Sequence, residues 1–167
     1  MSGQPGVRGW DVLAKAAARA REVREESALV RELLRVEVDG EPYALPIERV
    51  REIVRLCPIT KVPRAPELVL GVISLRGEIV QVLDLRRALA AETKEPTRRS
   101  RIVVLHGETG EIAGWLVDAV NEVMRVPEVE LSPPPGDAGE LVTAICVRGD
   151  RFVSLLEPDR MQNLVAD

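Results

Sequence analysis

From about residue 33 onward the second half of this chain repeats the first. VISLRGEIVQVLDLRRAL, Val72 to Leu89, is two apolar runs meeting at an Arg-Gly pair, with Arg76 the only charge between Val72 and Gly77. ICVRGDRFVSLLEPDRM follows from Ile145, with Arg148 and Gly149 at the matching turn and Glu157 in place of Asp84. Upstream, IERVREIVRL (Ile47 to Leu56) is echoed by VDAVNEVMRV (Val117 to Val126), which pairs Glu52 with Glu122 and Arg55 with Arg125. The offset is 70 residues at the Glu pair, 72 at the Arg-Gly pair and 73 at Asp84/Glu157, the slow drift that loop insertions produce. A tandem duplication follows. Each unit, about 60 residues and five short strands, is too small to bury an adequate core alone, so the two must share an apolar interface. Curling into two small barrels would close sheet edges that otherwise invite aggregation.

The first 32 residues precede this repeat. Asp11 to about Leu34 contains neither Gly nor Pro and favours helix throughout. Leu13, Ala16, Ala20, Val23, Ser27, Val30 and Leu34 follow a three-four spacing, a thin stripe dominated by small residues. The period then changes to two: Leu34, Val36 and Val38 alternate with charges, Asp39-Gly40 supplies a turn, and Tyr43 and Leu45 resume, predicting a hairpin. A short helical turn should run into a strand at PIERVREIVRL, and the prolines of CPITKVPRAPE predict a loop. The hairpin at Arg76 should end in a short helix, Leu85 to Leu89, and RIVVLHGETGEIAGWLV predicts another hairpin turning at Gly107 to Gly110. The expected division is a helical extension over 1–32 and a body over 33–167. Within the body the repeats fall at about 33–90 and 101–163, joined by a polar connector at 91–100, with elements free to swap between subdomains.

Composition narrows the function. A formal charge of -4 and a pI near 5.3 argue against a nucleic-acid binder, which needs clustered basic charge, and 2% aromatic residues give no base-stacking platform. Cys57 and Cys146 lack zinc-like spacing and read as small buried hydrophobes in a reducing compartment. The start MSGQPGVRGWD has no apolar signal core, so a cytoplasmic protein is expected. His106, the one histidine, stands at a hairpin end, and no nucleophile-elbow, Walker or dinucleotide glycine pattern occurs. No catalytic, cofactor or metal set is predicted, which leaves little for a ligand pocket between the subdomains to work with.

Arg76 then stands out. Its planar fork, rising from an otherwise apolar surface, suits an interaction anchor. Glu52, set in VREIV between apolar neighbours, is the opposite charge, available either to Arg76 or to a partner beside it.

The order YALPIERVREIV, TKVPRAPELVLGVISLRGEIVQVLDLRRAL, GWLVDAVNEVMRV and RGDRFVSLLEPDRM resembles the CheW family of bacterial chemotaxis coupling proteins, over about Leu34 to Gln162. The resemblance implies a mainly β fold of two packed five-stranded barrels with short helices, to which this chain adds an N-terminal helix. It implies a non-enzymatic scaffold joining a chemoreceptor's cytoplasmic tip to the regulatory domain of a CheA-type histidine kinase. By the same likeness Arg76 and Glu52 are partner contacts, and Val50, Ile53, Gly71, Leu75 and Gly77 belong to the same motifs. Ser74 stands where the family usually has Asn, Gln81 where it has Pro, and Ala44, Ala119, Ala144 and Cys146 where Gly is common. A second reading is a diverged adaptor that binds only one of these partners and organises another complex through its N-terminal helix.

Overall fold

The computed structural model describes residues 7–166, without the side chains of 7–8 and 26–28, so Glu26 and Ser27 of the helical stretch lie outside it as side chains. Helix α1 (Val7–Ala28) is followed by β1 (Val30–Val38), β2 (Glu41–Pro46), a 3-10 turn (Ile47–Arg49), β3 (Val50–Arg55), β4 (Val69–Leu75), β5 (Glu78–Asp84) and α2 (Leu85–Ala88). The second half supplies β6 (Arg101–His106), β7 (Ile112–Val117), β8 (Ala119–Pro127), β9 (Val142–Arg148), β10 (Arg151–Leu156) and α3 (Pro158–Ala166). The predicted hairpins, the helical turn before β3 and the short helix after β5 all form. The first helix stops at Ala28 instead of running to Leu34. Val30 and Leu34 fit helical spacing, but Leu33 and Leu34 both require burial, and only a strand sends adjacent side chains into opposite cores.

The ten strands form two five-stranded sheets, ordered β8-β1-β2-β10-β9 and β3-β6-β7-β5-β4. Neither sheet is made from one repeat. Each takes the first two strands of one copy and the last three of the other, joined by antiparallel pairs between β1 and β8 and between β3 and β6 and by parallel pairs between β2 and β10 and between β5 and β7. The registers coincide: Tyr43 faces Ser154 in one sheet, and the equivalent Ala113 faces Gln81 in the other. Of the two arrangements left open, each copy curling by itself or strands swapping between subdomains, the structure has the swap.

Period-two alternation sorts the apolar residues into three groups. Leu33, Ala44, Met124, Val126, Cys146, Val153 and Leu155 pack inside the first sheet, and Ile73, Val80, Val82, Ile102 and Val104 inside the second. Their chain neighbours Leu34, Leu45, Leu83, Val103, Leu105 and Leu156 join Trp115 and Met161 in the large core between the sheets. This is the shared interface that the repeat length demanded.

Paired charges tie the exchanged segments together. At the start of α2, Arg86 donates through Nε to Asp118 Oδ1 at 2.8 Å and through Nη2 to Asp118 Oδ2, just ahead of β8. In the other copy Asp159, in α3, accepts from Arg49 Nη2 at 2.7 Å, just ahead of β3. Arg86 and Asp159 are corresponding residues of the two copies, whereas Asp118 corresponds to Glu48, so the second link uses the neighbouring residue Arg49. The Asp118 hydrogen bonds raise the Arg86 pKa further above its ordinary value, against the opposing effect of burial.

Candidate functional site: two seams and the apolar residues beside them

In the second sheet β3 and β4 are the outer strands, and a salt bridge joins them. Arg76 Nη2 lies 3.5 Å from Glu52 Oε2, with the Arg76 side chain 76% exposed and that of Glu52 21%. The equivalent seam, between β8 and β9, is closed by Arg148, whose Nη1 donates to Glu130 Oε2 at 2.7 Å and whose Nη2 donates to the carbonyl of Arg125 at 3.4 Å.

The two arginines do not occupy equivalent positions. Leu75 pairs with Glu78 across the first hairpin, so Arg76 and Gly77 are its two turn residues, at φ 51° and 82°. Positive φ at both positions matches the type I′ turn. In the second hairpin Arg148 pairs with Arg151 and belongs to the strand, leaving Gly149 and Asp150 as the turn. The sequence-level match of Arg76-Gly77 with Arg148-Gly149 is thus one residue out of register, and the structural counterpart of Arg76 is Gly149, at φ 64°. A glycine is satisfactory at either central turn position, which is why the strings align falsely.

The seven residues singled out from the sequence collect around this seam but divide by role. Val50 packs against the core between the sheets, and Leu75 against the core of the second sheet. Gly71, at φ 149°, lies where a Cβ would overlap the carbonyl of Thr60, the residue that exchanges backbone hydrogen bonds with Val72 at 2.8 and 2.9 Å. Gly77 has open space around it and serves the turn. These four have structural reasons to be present. Arg76, Glu52 and Ile53, which is 44% exposed, remain available to another molecule.

Sequence reasoning missed the largest exposed apolar side chains of the body. Ile79 is 77% exposed beside the Arg76 turn, and Phe152 is 65% exposed at the equivalent place on the other sheet. Phe152 faces Val147 in register, where the first copy has Ile79 facing Ser74. Val123, the counterpart of Ile53, is also exposed. Their signal was present: both Ile79 and Phe152 fall in the outward phase of strands whose inward phase is Val80, Val82, Val153 and Leu155.

Two residues predicted to be inert differ in setting. Cys146 is buried and burial pushes its thiol pKa up, whereas Cys57 is half-buried. Among the described residues no group of three or more His, Cys, Asp or Glu could hold a metal ion. A cleft of about 350 Å³ is lined by Ile59, Leu70, Arg86, Lys94, Leu116 and Asp118 among others. Its inner cation, Arg86, is bound to Asp118, Asp39 and the carbonyl of Glu92, so it braces the fold.

Two intertwined β-sheets, each with exposed apolar side chains beside its seam, define a protein-binding module of the scaffold type. A family model described as a CheW-like domain matches residues 32–165, and the chain belongs to the CheW family of chemotaxis proteins. It is 30% identical to the chemotaxis protein CheW of Helicobacter pylori, over 86% of this chain and 88% of that one. It is 36% identical to that of Bacillus subtilis, over 72% and 79%. Among solved structures it is similar to the scaffolding protein TtCheW of Thermoanaerobacter tengcongensis, with a TM-score of 0.72 and 31% identity, covering 77% of this chain and 90% of that one.

Proposed function

We propose that the chain is a cytoplasmic adaptor that couples chemoreceptor tips to the regulatory domain of a CheA-type histidine kinase through contacts alone, without bond chemistry of its own. The observation that carries this reading is the pairing of exposed sites. Ile53, Ile79 and Arg76 stand on one sheet, and Val123, Val147 and Phe152 on the other. One chain can then hold two partners at once, one at each face.

The backbone at Arg76 supports a role for its side chain. A non-glycine residue at left-handed φ costs on the order of 1 kcal/mol, and the other hairpin avoids that cost with Gly149. The ion pair to Glu52 returns little, since exposed pairs contribute roughly 0–1 kcal/mol. Retaining an arginine there is explained by binding. Glu52 then fixes the direction of the guanidinium, Ile53 and Ile79 supply apolar area beside it, and Val50, Gly71, Leu75 and Gly77 hold the strands that present it.

Pull-downs with the receptor tip and the kinase regulatory domain offered separately test this. Arg76→Ala should weaken one partner and Phe152→Ala the other, each variant keeping its second partner at wild-type strength. Loss of both partners from either variant, with the fold intact, would contradict two separate faces.

A further inference from the structure

The two copies differ in charge at one cross-strand pair. Near the start of β1, Glu32 stands opposite Arg125 of β8, whose Nε lies 3.8 Å from Glu32 Oε1. In the other sheet the corresponding pair is Arg101 of β6 opposite Arg55 of β3. Two cations therefore face each other where the other copy has an ion pair, and like charges directly opposite destabilise a sheet. Arg98 joins them. The three arginines, with Leu56, Pro96 and Thr97, line an open groove of about 670 Å³, and none of the described residues that line it is acidic.

The end of the connector that forms one wall is held in place. The Thr97 carbonyl accepts from Ser100 N at 3.1 Å, and the Thr97 N–H donates to Oγ of the buried Ser100 at 2.8 Å. Arg101 Nη1 donates to the carbonyls of Arg98 and Ser100, at 2.8 Å each. That bracing gives Arg101 a structural reason to be present. It gives none to Arg55 or Arg98, whose exposed side chains have no hydrogen bond or ion pair among the described residues. Glu95 lines the neighbouring cleft beside Lys94, and Glu37 lies 4.0 Å from the adjacent Arg99.

We infer that this groove binds an acidic segment of another protein, an extended stretch carrying several carboxylates, whichever partner the Arg76 face takes. Guanidinium forks without acids of their own suit carboxylates, which they hold through two parallel hydrogen bonds. Leu56, 39% exposed, and Pro96 supply apolar contact between those charges. Nucleic acid fits less well, because the lining includes no aromatic side chain for base stacking and the chain is acidic as a whole. A lipid surface would require a broader apolar face than one leucine and one proline.

The test is calorimetric titration of the full chain with a short synthetic peptide of Glu and Asp around a central Leu, compared with the same peptide carrying Gln and Asn instead. The acidic peptide should bind saturably and lose affinity as salt rises. The amide peptide should not bind. Arg55→Glu sets an acid opposite Arg101, as in the other copy, so it should keep or raise the thermal midpoint. The same variant should weaken the acidic peptide by roughly fivefold or more, because reversal removes a surface attraction and adds a repulsion of similar size. Arg98→Ser should also weaken it, whereas Lys15→Glu, an equal change of net charge on α1, should not. Absence of binding, equal binding of the two peptides, or binding only to phosphatidylglycerol vesicles or inorganic phosphate would overturn the proposal. So would unchanged affinity in Arg55→Glu, an equal loss in Lys15→Glu, or a lowered midpoint in Arg55→Glu, which would show that Arg55 braces the sheet.

Discussion

Arg76 and Gly149 occupy the same corner of the two repeated hairpins, the first turn position, at φ 51° and 64°. Glycine accepts that conformation without cost and arginine does not. Arg76→Gly should therefore leave the urea midpoint unchanged or raise it by up to about 1 kcal/mol of stability, while weakening partner binding by roughly tenfold or more. A clear loss of stability would show that the Glu52 bridge holds the seam shut.

Gly71 and Gly77 belong to the same motif but should fail differently. Alanine at Gly71 drives a Cβ into the Thr60 carbonyl, so the bridge between Thr60 and Val72 must open. A loss of about 3 kcal/mol or more is expected, in the range of severe backbone strain and broken packing. At Gly77 the space is open and only the positive φ resists, giving about 1 kcal/mol. Urea denaturation of the two variants separates these effects.

Arg86 is the charged brace between the exchanged halves, with its side chain 11% exposed and that of Asp118 28%. Arg86→Ala strands Asp118 and should cost about 2–4 kcal/mol, moderated by the partial exposure of the carboxylate. Lysine should recover only part, because an ammonium cannot reproduce the two-pronged contact. Thermal and chemical denaturation of both variants measure the difference.

Alkaline pH should destabilise the fold through two groups. Burial raises the pKa of the Cys146 thiol and, together with Glu41 and Asp39, that of the Tyr43 phenol. A group with a raised folded-state value contributes stability that is fully present below its unfolded value and is lost as pH rises through the folded one. The loss should begin above about pH 8.5 for the thiol and about 10 for the phenol. Denaturation midpoints at pH 7, 9 and 10.5 should fall in that order, and Cys146→Ala should flatten the first part of the decline.

The strands, turns and shared interface were legible because alternation and turn residues are local signals. An exchange of strands was left open but not specified. It is decided by long-range pairing between the copies, antiparallel for β1 with β8 and β3 with β6 and parallel for β2 with β10 and β5 with β7, and nothing in either segment's own periodicity names its neighbour. The helix end was misplaced because Val30 and Leu34 satisfy both a helical and a strand spacing. The Arg-Gly match slipped by one residue because glycine suits both central turn positions. At the candidate site Arg76 and Glu52 were readable as a charge pair, whereas Ile79 and Phe152 were hidden inside strongly apolar runs, where only the inward-outward phase distinguishes core from surface.

The proposed adaptor must hold both partners at once, one at each face. Sedimentation velocity of the chain mixed with a receptor-tip fragment and the kinase regulatory domain measures the mass of the particle that forms. One species containing all three components is expected, which Arg76→Gly and Phe152→Ala each reduce to a different two-component complex. Competition between the two partners for a single chain, with no three-component particle at any concentration, would contradict it.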